Sequence, residues 1–167
     1  DNVFNAINPT SSGYQNGGNW IGILSAVYAI SAVLWSLVLS KIPAGKNKLG
    51  YALSLFLGAI GFVSVFFIHS QYALIGSFVL IGVSWAGMMA YPFIMVTNAL
   101  PGDHMGTYLG LFNGSICLPQ IVASVASFAI FPALGSHFPT MILVSGCLML
   151  LGALSVGFIK EAQHNIN

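Results

Sequence analysis

The sequence predicts an all-α membrane protein with five transmembrane helices, and three observations carry that prediction. First, 57% of the 167 residues are hydrophobic and only 4% are charged. A soluble domain carries about 25% charged residues, so this chain could not cover its surface with polar side chains. Second, five uncharged apolar runs, each long enough to cross a bilayer, are separated by short polar turns. Third, if the runs cross in alternation, all four lysines (Lys41, Lys46, Lys48 and Lys160) fall on one side. An excess of lysine marks the cytoplasmic side of a membrane protein.

Residues 1–18 are rich in Asn, Gly and Ser and have no sustained period, so they read as a loop on the outer side. The first span runs from Trp20 to Ser40, with Trp20 at the edge, where an amphipathic ring prefers the interface. A basic turn, K-I-P-A-G-K-N-K, leads to a second span from about Leu49 to Ile68, along which Gly50, Ser54 and Gly58 form a small-residue stripe. After His69-Ser70-Gln71 comes a third span, about Tyr72 to Asn98. It is longer than a bilayer requires and interrupted by Pro92, which predicts a tilted, bent helix. The fourth span covers about Met105 to Phe131, and the segment P-A-L-G-S-H-F-P (132–139) is expected to break it. The fifth covers about Thr140 to Ile159, and residues 160–167 form a polar tail on the lysine side. A chain that begins at Asp1 in mid-loop, with an odd number of spans, reads as a piece of a longer protein.

The fourth span is the one around which the others are expected to be organised. Gly106, Gly110 and Gly114 recur at four-residue spacing and line one smooth helical stripe, which favours close backbone packing. Asn113 and Gln120, seven apart, fall on roughly one face. Pro119 removes a backbone donor and loosens the helix beside them. A closely packed, bent helix carrying inward amides predicts a moving wall around a polar ligand.

The spans contain no Asp, Glu, Lys or Arg, so no proton relay or counter-ion lies within them. The acids are Asp1, Asp103 and Glu161, and Asp103 beside His104 reads either as a gate at the membrane face or as a solvated turn. No catalytic triad spacing, HExxH, CxxC or phosphate-binding glycine loop is present, which argues against an enzyme, a bound metal or a cofactor. Cys117 and Cys147 sit inside apolar runs and read as small hydrophobes, and the net charge of +1 leaves no nucleic-acid footprint. Asn113 and Gln120 can each donate and accept, as recognition of sugar hydroxyls requires, or they can bond neighbouring helices. Trp85 and Tyr91, in S-W-A-G-M-M-A-Y-P-F (84–93), and Tyr28 on the first span offer flat apolar faces for a pyranose ring, or plain packing.

The strings W-A-G-M-M-A-Y-P-F, A-L-P-G-D-H-M-G-T-Y-L-G-L-F-N and I-C-L-P-Q-I-V-A-S resemble the tenth and eleventh helices of sucrose- and maltose-type proton symporters. These are the glycoside–cation symporter branch of the major facilitator superfamily. The resemblance implies helices eight to twelve of a twelve-helix bundle in a multi-pass protein of the plasma or inner membrane, with a cytoplasmic C-terminus. It implies alternating access to a sugar site, protons as coupling ion, and a partner in the missing N-terminal half of the same chain. It nominates Trp85, Tyr91, Asn113 and Gln120 as cavity-side positions. The turn K-I-P-A-G-K-N-K lacks the acidic-then-arginine pattern often seen between the eighth and ninth helices of that superfamily. Two other readings stay open on the residues alone: a transporter of the same fold for another small solute, and a membrane subunit whose glycine stripes serve packing only.

Overall fold

The structure is a computed structural model that describes residues 10–100 and 104–159, apart from the side chain of Ala44. The described residues form five helices and no strand: α1 (Ser12–Leu39), α2 (Asn47–Phe67), α3 (Ala73–Ala99), α4 (Met105–Ala133) and α5 (Phe138–Ser155). Short 3₁₀ turns, Ala44–Lys46 and Val156–Phe158, lead into α2 and out of α5. All five helices are long and apolar enough to cross a membrane. Their outward faces carry large apolar side chains such as Leu111 (75% exposed) and Phe128 (83%), a surface suited to hydrocarbon rather than water. Asp1, Asp103, Lys160, Glu161 and His164, and with them the polar tail, lie outside the described residues.

Helix boundaries follow local chemistry. α1 starts at Ser12, well before Trp20, because the Ser11 hydroxyl accepts a bond from the Tyr14 amide at 3.2 Å and caps the first turn. This polar turn, expected as loop, is helical. α3 passes through Pro92 without interruption and ends at Leu100, whose extended backbone (φ −102°, ψ 142°) is what a following proline favours. α4 passes through both Pro119 and Pro132. Pro132 does not break it. The stop comes at Gly135 (φ 74°), where the amides of Gly135 and Ser136 bond back to the carbonyls of Pro132 and Phe131 at 3.0 Å. α5 accepts Pro139 in its first turn, where the missing N–H costs nothing.

Four helices pack in a row, in the order α1, α3, α2, α5. α1 and α3 run parallel, since Trp20 meets Tyr72 edge-on near one end (5.3 Å) while Leu39, Ala86 and Tyr91 cluster near the other. α2 runs antiparallel to both its neighbours. The Gly50-Ser54-Gly58 stripe makes the α2–α3 contact: a Cβ on Gly87 would strike Ser54, and one on Gly58 would strike Ser84. A Cβ on Gly61 would stand 2.9 Å from the Ser77 carbonyl oxygen. Serine hydroxyls zip the same seam. Ser54 Oγ donates to the Gly50 carbonyl (2.8 Å) and accepts from Trp35 Nε1 (3.0 Å), and Ser64 Oγ meets Ser77 Oγ at 2.7 Å. Such interhelical bonds each contribute about 0.6–2 kcal/mol where water is absent. Lys48 Nζ donates to the Gly157 carbonyl at 2.6 Å, so the start of α2 and the exit from α5 share one end of the bundle.

α4 departs from expectation. It is the least packed helix and organises nothing among the described residues: none of its residues is buried, and it touches the row mainly along α3. Phe93 meets Phe112 edge-on at 5.1 Å, and Phe131 meets Phe138 at 4.8 Å beside the turn into α5. A Cβ on Gly106, Gly110 or Gly114 would meet nothing within 4 Å. A smooth stripe packs only against a surface shaped to receive it. α2 finds that surface in the serines and glycines of α3, whereas α4 has none among the described residues.

Candidate functional site

The structure brings two of the candidate residues together. Gly82 lets α1 approach α3 until a Cβ at that position would strike the Tyr28 carbonyl and lie 2.9 Å from Ser31 Cβ. That approach brings the Tyr28 and Trp85 rings to 6.2 Å between centroids, tilted by 56°. Trp85 keeps 45% of its surface exposed, so its indole is an available apolar platform with the Tyr28 ring at its flank. Pro92, also only partly buried, lies on the same side of α3 two turns further along.

Tyr91 is elsewhere. It is 1% exposed and faces α2, with its ring 5.9 Å from that of Tyr51 and its hydroxyl in the space a Gly50 side chain would fill. That hydroxyl is sealed from solvent and has no hydrogen-bond partner among the described residues. An unpaired buried donor costs about 1–3 kcal/mol. The packing that buries Tyr91 therefore removes it from any surface a solute could reach in this arrangement.

Asn113 and Gln120 lie on the open helix. Both are exposed, and no side-chain bond holds either amide among the described residues. The serines around them behave differently: Ser115, Ser124 and Ser127 each turn back onto a carbonyl of their own helix at 2.7–2.8 Å. Serine can satisfy itself along a helix in this way, whereas a longer amide with two donors and an acceptor needs partners off the helix. Pro119 is exposed beside Gln120. The Tyr28–Trp85 pair therefore lies on α1 and α3 and the two exposed amides lie on α4.

Sequence reasoning missed Trp35 and Ser54. Their bond ties α1 to α2 across the Gly87 gap of α3, and only the spacing of Ser54 within the α2 stripe hinted at it. No group of three or more His, Cys, Asp or Glu capable of holding a metal ion occurs among the described residues. No protein-family model, curated protein sequence or solved structure matches this chain.

Proposed function

We propose that the chain is the greater part of the C-terminal half of a sugar/proton symporter of the major facilitator type, in the glycoside–cation branch, and that it works by alternating access. The observation that carries this reading is the state of α4. Two amides without partners among the described residues and three open glycines lie on one uncharged helix, in a chain whose other small-residue seam is closely packed. Amides left in hydrocarbon would cost several kcal/mol, so the reading gives them a wet cavity and gives the glycine stripe a neighbouring helix. The M-G-T-Y-L-G-L-F-N and L-P-Q strings on the same helix support the family assignment, and the lysines at the Lys48–Gly157 end support a cytoplasmic C-terminus.

In this mechanism the Tyr28–Trp85 platform takes the apolar face of a pyranose, and Asn113 and Gln120 take its hydroxyls when α4 and the helices opposite close on the substrate. The protons are carried by carboxylates on other helices, since these spans hold none. Sugar uptake by the full-length transporter tests this: Asn113→Ala and Gln120→Ala should each raise the apparent KM at least several-fold. Unchanged KM and rate in both would remove the amides from the site. The sequence upstream is the companion test, with seven further apolar spans expected, some bearing Asp, Glu or Arg.

A further inference from the structure

The end of the bundle where α1 leads into α2 is charged in one sense only. Lys48 donates to the Gly157 carbonyl at 2.6 Å, whereas Lys41 and Lys46 are exposed and no bond holds either ammonium group among the described residues. No Asp or Glu occurs among those residues. α2 opens with Lys46 at its N-cap position, without a side-chain cap and without an acid in its first turn, although the amide end of a helix favours negative charge. The turn that presents the two lysines is held in place. The Lys41, Ile42 and Lys46 amides bond to the Val38, Leu39 and Pro43 carbonyls at 3.0–3.1 Å, and Ile42 packs on the Leu39–Ala86–Tyr91 cluster. Each lysine also stands about one turn from large exposed apolar side chains of the adjoining helix: Leu37 and Val38 before Lys41, and Leu49, with Leu53 a turn deeper, after Lys46.

We infer that the Lys41–Lys46 turn is a seat for an anionic phospholipid. The two ammonium groups take the phosphodiester headgroup, and the acyl chains lie along the exposed leucines and valine beneath it. Charge decides against a zwitterionic lipid, whose own ammonium group would face two more. The apolar side chains decide against a free phosphate ion, which would leave them without a partner. A lysine at the membrane surface gives about a fivefold preference for anionic lipid, so the pair should select one by at least that factor. The inference rests on the helices spanning a bilayer and does not depend on what is transported.

Native mass spectrometry and melting of the whole chain in detergent micelles test it, with phosphatidylglycerol and phosphatidylcholine of the same acyl chains as probes. The parent should bind phosphatidylglycerol at least fivefold more tightly, and should melt higher with it than with phosphatidylcholine. Lys41→Gln with Lys46→Gln should cut that preference at least threefold. Without lipid the same variant should melt with the parent, because neither ammonium group bonds the bundle. Adding His69→Lys and Ser70→Lys at the far end of α2 returns the net charge and should not return the preference, whereas Lys41→Arg with Lys46→Arg should keep it. A parent without preference, a preference that survives the glutamine pair, or one restored from the far end would overturn the inference. So would equal protection by inorganic phosphate, which has no acyl chains. A glutamine pair that melts below the parent would overturn it too, because the ammonium groups would then be holding the fold rather than awaiting a lipid.

Discussion

Gly82→Ala is the sharpest test of the packing described here. An added methyl group at that position would run into the Tyr28 carbonyl and stand 2.9 Å from Ser31 Cβ and 3.2 Å from the Ala32 amide nitrogen. Two of these three atoms are backbone, so no rotamer change relieves the contact and α1 must move off α3 as a unit. Overpacking of this kind costs about 1–3 kcal/mol, and the absence of any yielding side chain places it near 3. Alanine returns about 1 kcal/mol of helix propensity over glycine. The net loss is about 2 kcal/mol, or roughly a 30-fold change in the folding equilibrium. Gly110→Ala is the matched control: its methyl group meets nothing within 4 Å, so the propensity gain stands alone and the chain should be as stable as the parent or more so. Reversible unfolding of the chain in detergent micelles, followed by tryptophan fluorescence, measures both. Equal effects of the two substitutions, or a neutral Gly82→Ala, would refute the claim that close backbone approach at α1–α3 rather than at α4 holds this bundle.

Other substitutions probe single contacts. Trp35→Phe keeps the ring but removes the donor to Ser54, and should cost about 0.6–2 kcal/mol by the same unfolding measurement; Ser54→Ala on that background should add less than it does alone, since the two share one bond. Lys48→Met should cost about 1 kcal/mol and loosen the 3₁₀ exit of α5, read as faster hydrogen exchange around Gly157. On the proposed function, Trp85→Ala in the full-length protein should weaken sugar affinity with little effect on stability, because the residue is 45% exposed; Tyr91→Ala should do the reverse, because that residue is 1% exposed and fills the α2–α3 seam.

The five helices were legible because each rests on a local signal: an uncharged apolar run bounded by Pro, Gly or Lys. The first turn of α1 was not. Its Asn, Gln and Gly residues read as loop, and the serine cap that makes them helical is one residue among many polar ones. Pro132 misled in the opposite way. Proline costs a helix mainly through a lost bond and a clash one turn back, a penalty the chain absorbs near a helix end, while the true stop depended on the left-handed backbone at Gly135. The aromatic site was half legible. Trp85 and Tyr91 are six residues apart and both looked available, yet they point to different neighbours, and which face of a helix finds a partner is a tertiary fact that no period in the chain records.

The two glycine stripes carry the same lesson into function. Gly50-Ser54-Gly58 and Gly106-Gly110-Gly114 are nearly the same pattern, and in lipid neither gains anything from leaving water, so each is worth only the contacts its partner can make. The α2 stripe faces Ser84 and Gly87 on α3, groups small enough to enter it, while Ser64 and Ser77 bond across the same pair of helices, and it becomes the best-packed seam of the bundle. The α4 stripe shares its helix with Asn113 and Gln120, whose amides apolar packing alone would leave unsatisfied. A neighbour for that helix must therefore offer small residues along one line and water or hydroxyl groups along another. On the proposed function a second half of the protein, meeting this one across a solute, supplies both, and the least packed of the described helices, rather than the tight core, is where the proposed chemistry belongs.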